Sequence, residues 1–114
     1  MTTIHHQIQY IEFLSIDFER IRQFYTAAFG WKFTDWGAEY VAFAGEYIEG
    51  GFALGTPVNG SIMPIIWSDD PEASLEQVKA AGGLITTDIF SFPGGRRFEF
   101  TDPDGNQLAV WTKE

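Results

Sequence analysis

The chain states one pattern twice, 53 residues apart. Tyr10–Phe33 lies over Met63–Thr86, so that Asp17 meets Asp70, Ala28 meets Ala81 and Gly30 meets Gly83. In each copy an apolar run precedes the aspartate and an amphipathic stretch follows it. A duplicated supersecondary unit leaves each copy with an apolar face to cover, and stacking the copies covers both. Ligands in such pseudo-symmetric folds sit where the copies face each other. With 114 residues the chain reads as one domain (1–114), too short for two independent cores. Repeat one spans about 7–56, a linker with Pro and Asn-Gly spans 56–61, and repeat two spans about 62–113.

Within each repeat the periodicity switches from strand to helix to strand. Residues 8–14 read as a strand. Asp17 then caps a helix whose stripe is Phe18, Ile21, Phe24, Tyr25, Ala28 and Phe29, and Gly30 ends it. Strands follow at 31–35, 39–44 and 51–54. The second repeat opens with a strand at 62–67. Asp70 caps its helix, Pro71 occupies the first turn, and Leu75, Val78 and Ala81 form the apolar face. Strands follow at 84–87, 97–101 and 107–112. The turn Asp102-Pro103-Asp104-Gly105-Asn106 joins the last two, with each residue type suited to a tight reversal. Both halves thus read βαβββ, an α+β fold of duplicated modules whose mixed, curved sheets form a cleft.

Net charge narrows the partners. At −9, the chain lacks the basic face that nucleic acid or an anionic membrane demands. Cysteine is absent, which removes disulfides, thiolate catalysis and sulfur-ligated metal centres. No apolar run approaches the ~18 residues of a membrane span, and MTTIHHQ carries no secretory pattern, so a cytoplasmic location is expected.

Three segments carry a family likeness: FYTAAFGW (Phe24–Trp31), VKAAGG (Val78–Gly83) and FTDPDGNQLAVW (Phe100–Trp111). With the duplicated βαβββ pattern, they resemble the vicinal-oxygen-chelate superfamily of glyoxalases, bleomycin-resistance proteins and extradiol dioxygenases. The resemblance covers nearly the whole chain and implies the fold more strongly than any reaction, because one scaffold hosts unrelated activities. Metal-dependent members of that family draw His and Glu ligands from the first and last strand of each half. Carried onto this chain, the four positions fall at Tyr10, Met63, Ala109 and near Gly51. None is a usual ligand type, so the resemblance implies no metal residues here and no cofactor, with a divalent metal left open. His5 and His6 are adjacent, and in a strand adjacent side chains point to opposite faces.

Strand alternation gives an independent reading of the cleft. If Ile11 and Phe13 pack under the helix, Tyr10 and Glu12 face the other way. Met63 shares a face with Trp67, and Ala109 with Trp111. The inferred lining is Tyr10, Glu12, Met63, Trp67, Ala109 and Trp111, an aromatic and mildly acidic wall suited to an organic ligand. Two readings of Trp67 and Trp111 stay open: stacking on a planar or cationic ligand, or filling the core. Trp31 is expected in the core, and Trp36 as a lid or interface anchor. Glu12 and Glu99 are candidate catalytic bases or ligand anchors, or else solvent-facing strand residues. At the loop Pro93-Gly94-Gly95-Arg96-Arg97, at most one arginine faces the cleft, and Arg96 is the candidate for an anionic ligand group.

The expected function is metal-independent binding of a small organic ligand, cationic or planar, by a homodimer similar to the bleomycin-resistance branch. The alternative is a glyoxalase-type lyase or isomerase with non-standard metal ligands, or metal-free acid–base catalysis by a glutamate. A third reading is an interaction module without chemistry.

Overall fold

The computed structural model describes residues 3–114. The order is β1 (Tyr10–Ser15), α1 (Phe18–Phe29), β2 (Phe33–Asp35), β3 (Tyr40–Phe43), β4 (Glu49–Leu54), β5 (Ile65–Trp67), α2 (Pro71–Ala80), β6 (Leu84–Phe92), β7 (Gly95–Thr101) and β8 (Gln107–Lys113). The duplicated βαβββ pattern is therefore present. Each repeat forms its own four-stranded mixed sheet, in the order β1-β4-β3-β2 for the first and β5-β8-β7-β6 for the second. In each, the first strand pairs parallel to the last and the others pair antiparallel.

Local chemistry explains the helix ends. Asp17 accepts from the Arg20 amide and Asp70 from the Ala73 amide, both at 3.1 Å, satisfying amides that the first turn leaves free. Gly30 takes φ +74°, where its N–H bonds the Thr26 carbonyl at 2.9 Å; a side chain at this left-handed position would be strained. Ile21, Phe24, Tyr25 and Ala28 are the buried residues of α1, all from the expected stripe.

One core joins both sheets and both helices. Tyr25 packs on Phe52 of β4 with centroids 5.4 Å apart, while Phe24 and Phe29 reach Phe100 of β7 at 6.1 and 5.9 Å. Trp31 belongs to this core, stacked on Tyr25 at 4.6 Å and on Phe43 at 4.4 Å.

A polar clasp ties the repeats. In the turn at residues 102–106, Asp102 and Asn106 are buried against the first repeat. Asp102 accepts from the amides of Asp104, Gly105 and Asn106, from Asn106 Nδ2, and from the Tyr25 hydroxyl at 2.8 Å. Asn106 Nδ2 also donates to the Leu14 carbonyl at 2.8 Å. The Ser15 hydroxyl donates to Asp104 at 2.5 Å, and Arg20 pairs with the same carboxylate.

Several strand bounds differ from the sequence reading. The strand expected at 62–67 begins only at Ile65, because Pro64 offers no amide to a ladder. The strand expected at 84–87 runs on to Phe92, and its partner begins at Gly95. Register shifts between Ile85 and Thr87 and between Thr87 and Phe90 break the two-residue alternation and hid this extension.

Candidate functional site

The face of each sheet turned away from the helices is open. On the second sheet, registers on three strand pairs place Trp67, Trp111, Arg97 and Phe90 in one row, directly opposite one another. The next row is Ile65, Ala109, Glu99 and Thr87. Side chains directly opposite across a sheet touch, so each row is a contact series. Trp67 and Trp111 meet edge to face, centroids 5.2 Å apart, and Trp67 is 47% exposed. Phe92 lies 6.4 Å from Trp111, and the Arg97 guanidinium lies 5.5 Å over Phe90. Trp67 and Trp111 therefore stand on the open face, outside the core cluster.

The arginine assignment needs correction. Arg96 lies on the helix-covered side, paired with Glu72 of α2. That ion pair raises the Arg96 guanidinium and lowers the Glu72 carboxyl from their ordinary values, both chiefly through the hydrogen bond between them. Arg97 occupies the open face. It donates to Glu99 at 2.8 Å, and its Nε is buried without a partner. One arginine faces out, as alternation requires, and it is the second. Period-two counting from Glu99 would have found it. Glu99 also accepts from the Thr87 hydroxyl at 3.2 Å, so it is a partly buried ion-pair member rather than a solvent-facing residue. Ala109 belongs to the open face by register but has no exposed surface; it lies between Ile65 and Glu99 as floor, not wall.

On the first sheet the open face holds Tyr10, Glu12 and Tyr40. The Tyr10 and Tyr40 hydroxyls lie 2.5 Å apart, and Glu12 stands on the same face of β1 as Tyr10. Burial, then the neighbouring Tyr10 hydroxyl and Glu12 carboxyl, push the Tyr40 hydroxyl well above the ordinary phenol range, so it stays protonated. Tyr40 carried no sequence signal, since its partners lie about 30 residues away. Its ring occupies the space above Gly51: a Cβ there would sit 2.5 Å from the Tyr40 oxygen.

Tyr10, Glu12 and Met63 line a cavity of about 540 Å³ between β1 and the linker. Tyr10 also borders a second cavity of about 530 Å³ with Trp36 and Glu49. Trp36 is 66% exposed at this rim. The structure thus gathers the sequence candidates into two groups, Tyr10, Glu12 and Met63 on one side and Trp67, Glu99, Ala109 and Trp111 on the second sheet.

The register also fixes the fourth family position. Glu12 pairs with Gly51 as Ile65 pairs with Ala109, so Gly51 and Ala109 are structural counterparts. Gly51 and Ala109 bring no side-chain donor, Met63 brings a thioether, and the Tyr10 phenol is engaged with Tyr40. Those residues do not fit the His/Glu set of a divalent centre. Among the described residues no three His, Cys, Asp or Glu side chains gather as a metal cluster.

A family model matches residues 7–110, described as the Glyoxalase/Bleomycin resistance protein/Dioxygenase superfamily. The chain belongs to that superfamily. Solved structures of the superfamily share the fold. A glyoxalase-related enzyme from Fulvimarina pelagi is 23% identical with a TM-score of 0.79, over 93% of this chain and 87% of that one. A glyoxalase/bleomycin resistance protein/dioxygenase family enzyme from Burkholderia phytofirmans PsJN is 14% identical with a TM-score of 0.81, over 93% and 98%. TnmS3, an antibiotic binding protein from Streptomyces sp. CB03234, is 22% identical with a TM-score of 0.73, over the full length of both chains. No curated protein matches the chain in sequence. No described helix of this superfamily member is long and apolar enough to cross a membrane.

Proposed function

We propose that this superfamily member binds a small planar organic molecule, cationic or neutral, without a metal ion. The row Trp67–Trp111–Arg97–Phe90 carries the reading. It offers aromatic faces on an open sheet, and Glu99 neutralises the one cation in it. Stacking and cation–π contact on such a wall stabilise a bound ring by about 0.5–2 kcal/mol per contact. An antibiotic-binding protein among the structural neighbours fits the same use of the fold. Titrating tryptophan fluorescence with planar cations tests it: saturable quenching at one molecule per subunit supports the proposal, and no saturable change counts against it.

A second copy of the chain is the proposed partner, in the cytoplasm. β1 and β5 are edge strands, and beside them Ile8, Val58 and Ile62 are 78%, 87% and 85% exposed. Contiguous exposed apolar side chains in a chain of charge −9 mark an interface. Ile62→Asp is expected to turn a dimer into a monomer, read by light scattering on a sizing column; a monomeric wild type would contradict the assignment.

The enzymatic alternative rests on Glu12, which is exposed on the same face of β1 as Tyr10. Its discriminator is turnover that is lost in Glu12→Gln.

A further inference from the structure

A further cavity, of about 350 Å³, opens into the core side of the sheets, away from the tryptophan row. It lies between β1 and β5, edge strands of different sheets that share no ladder. Its walls include Ile11 and Phe13 of β1, Phe43 of β3, Ile66 of β5, Leu108 of β8 and the Trp31 ring. Phe13 and Ile66 stand 53 residues apart, so the two repeats present equivalent positions to one space. Phe43 is held as a wall and leaves the space open. Trp31 stacks on it at 4.4 Å, and its ring lies over Gly50, where a Cβ would collide with its Cζ. Of the lining residues only Trp31, Glu46 and Tyr47 carry a polar side-chain atom. Glu46 and Tyr47 are exposed on the segment between β3 and β4, and so stand at the mouth. Farther in, a charged group would find no partner. A cavity of about 150 Å³ lined by Leu, Ile and Phe stays dry and takes benzene, so this larger one has room for two fused rings.

We propose that this cavity is a second binding site, for an uncharged ligand built on one or two aromatic rings. Trp31, Phe43 and Phe13 meet such a ligand with ring faces and edges, and Ile11, Ile66 and Leu108 with aliphatic surface. Glu46 at the mouth, in a chain of charge −9, turns anions away. The site shares no residue with the Trp67–Trp111–Arg97–Phe90 row, so it stands or falls independently of that wall.

Naphthalene is the probe, followed in ¹H–¹⁵N correlation spectra of the wild-type protein. The Trp31 indole signal and the amides of residues 44–48 are expected to move saturably, while the Trp67 and Trp111 indole signals stay in place. Ile66→Phe puts a larger side chain into the space and should weaken naphthalene binding by about tenfold or more, with a dispersed amide spectrum retained. No shift up to the solubility of naphthalene would overturn the proposal. Shifts confined to Trp67 and Trp111 would overturn it as well, and would assign the hydrocarbon to the open face. Wild-type affinity in a folded Ile66→Phe would also count against it. If that variant does not fold, the wild-type shifts alone decide.

Discussion

Asp102→Ala is expected to lower stability by about 3–4 kcal/mol in urea unfolding at neutral pH. The substitution strands three backbone amides, the Asn106 amide and the Tyr25 hydroxyl in a site where Asp102 itself is 3% exposed. Each buried donor left without a partner costs about 1–3 kcal/mol, and relaxation recovers part of that. Burial pushes the Asp102 carboxyl above its ordinary range, and the donors from Asn106, Tyr25 and the turn amides offset this only in part. The folded state therefore holds this proton more tightly than the unfolded chain. The contribution of the group to stability is greatest below the unfolded value of about 3.9 and declines as pH rises through the folded one. Asp102→Asn lacks this titration, so the margin of wild type over Asp102→Asn should narrow as pH rises from 4 toward neutrality. A margin that widens over that range would mean the folded state holds the proton more loosely. A loss below about 1 kcal/mol in Asp102→Ala would mean that the turn does not clasp the repeats.

Trp111→Ala is expected to weaken binding of a planar cation by about tenfold or more. Trp111 stands mid-row, between Trp67 and Arg97, with Phe92 beside it. Its removal takes one stacking face from the ligand and the edge-to-face support from Trp67. One such contact is worth about 0.5–2 kcal/mol, and losing both the contact and the support of its neighbour reaches the upper part of that range. Trp67→Ala should cost less, since Trp67 ends the row. Far-ultraviolet circular dichroism should stay unchanged in both, because the buried residues of β8 are Leu108, Ala109, Val110 and Thr112. Affinity that is unchanged in both variants would move the binding site off this face.

Much of the fold was legible because it is local. Asp17, Gly30, Asp70 and Pro71 act through their own backbone within a few residues, and each stands where its chemistry suggests. The resemblance extended this to topology. Long-range facts were less legible. The turn at 102–106 reads as a turn, yet nothing in its spacing shows that Asp102 reaches Tyr25, 77 residues away, or that Asp104 serves Ser15 and Arg20. Tyr40 read as one more strand residue until the pleat set it over Gly51. The loop before Arg96 carries no information on which arginine faces out, whereas the parity of Phe98, Glu99 and Phe100 sets Arg97 on the open face. The bulges of β6 erased the alternation that would have marked Phe90 as part of the row.

On the proposed reading the binding face works without a metal. The deciding experiment titrates a planar cation against protein stripped with a chelator, and then against the same protein supplied with Ni²⁺, Zn²⁺, Mn²⁺ or Fe²⁺. Tyr10, Gly51, Met63 and Ala109 offer such ions no competent set, so the account predicts one dissociation constant throughout and no retained metal by mass spectrometry. Stoichiometric metal retention, or binding that appears only when a metal is restored, would contradict it.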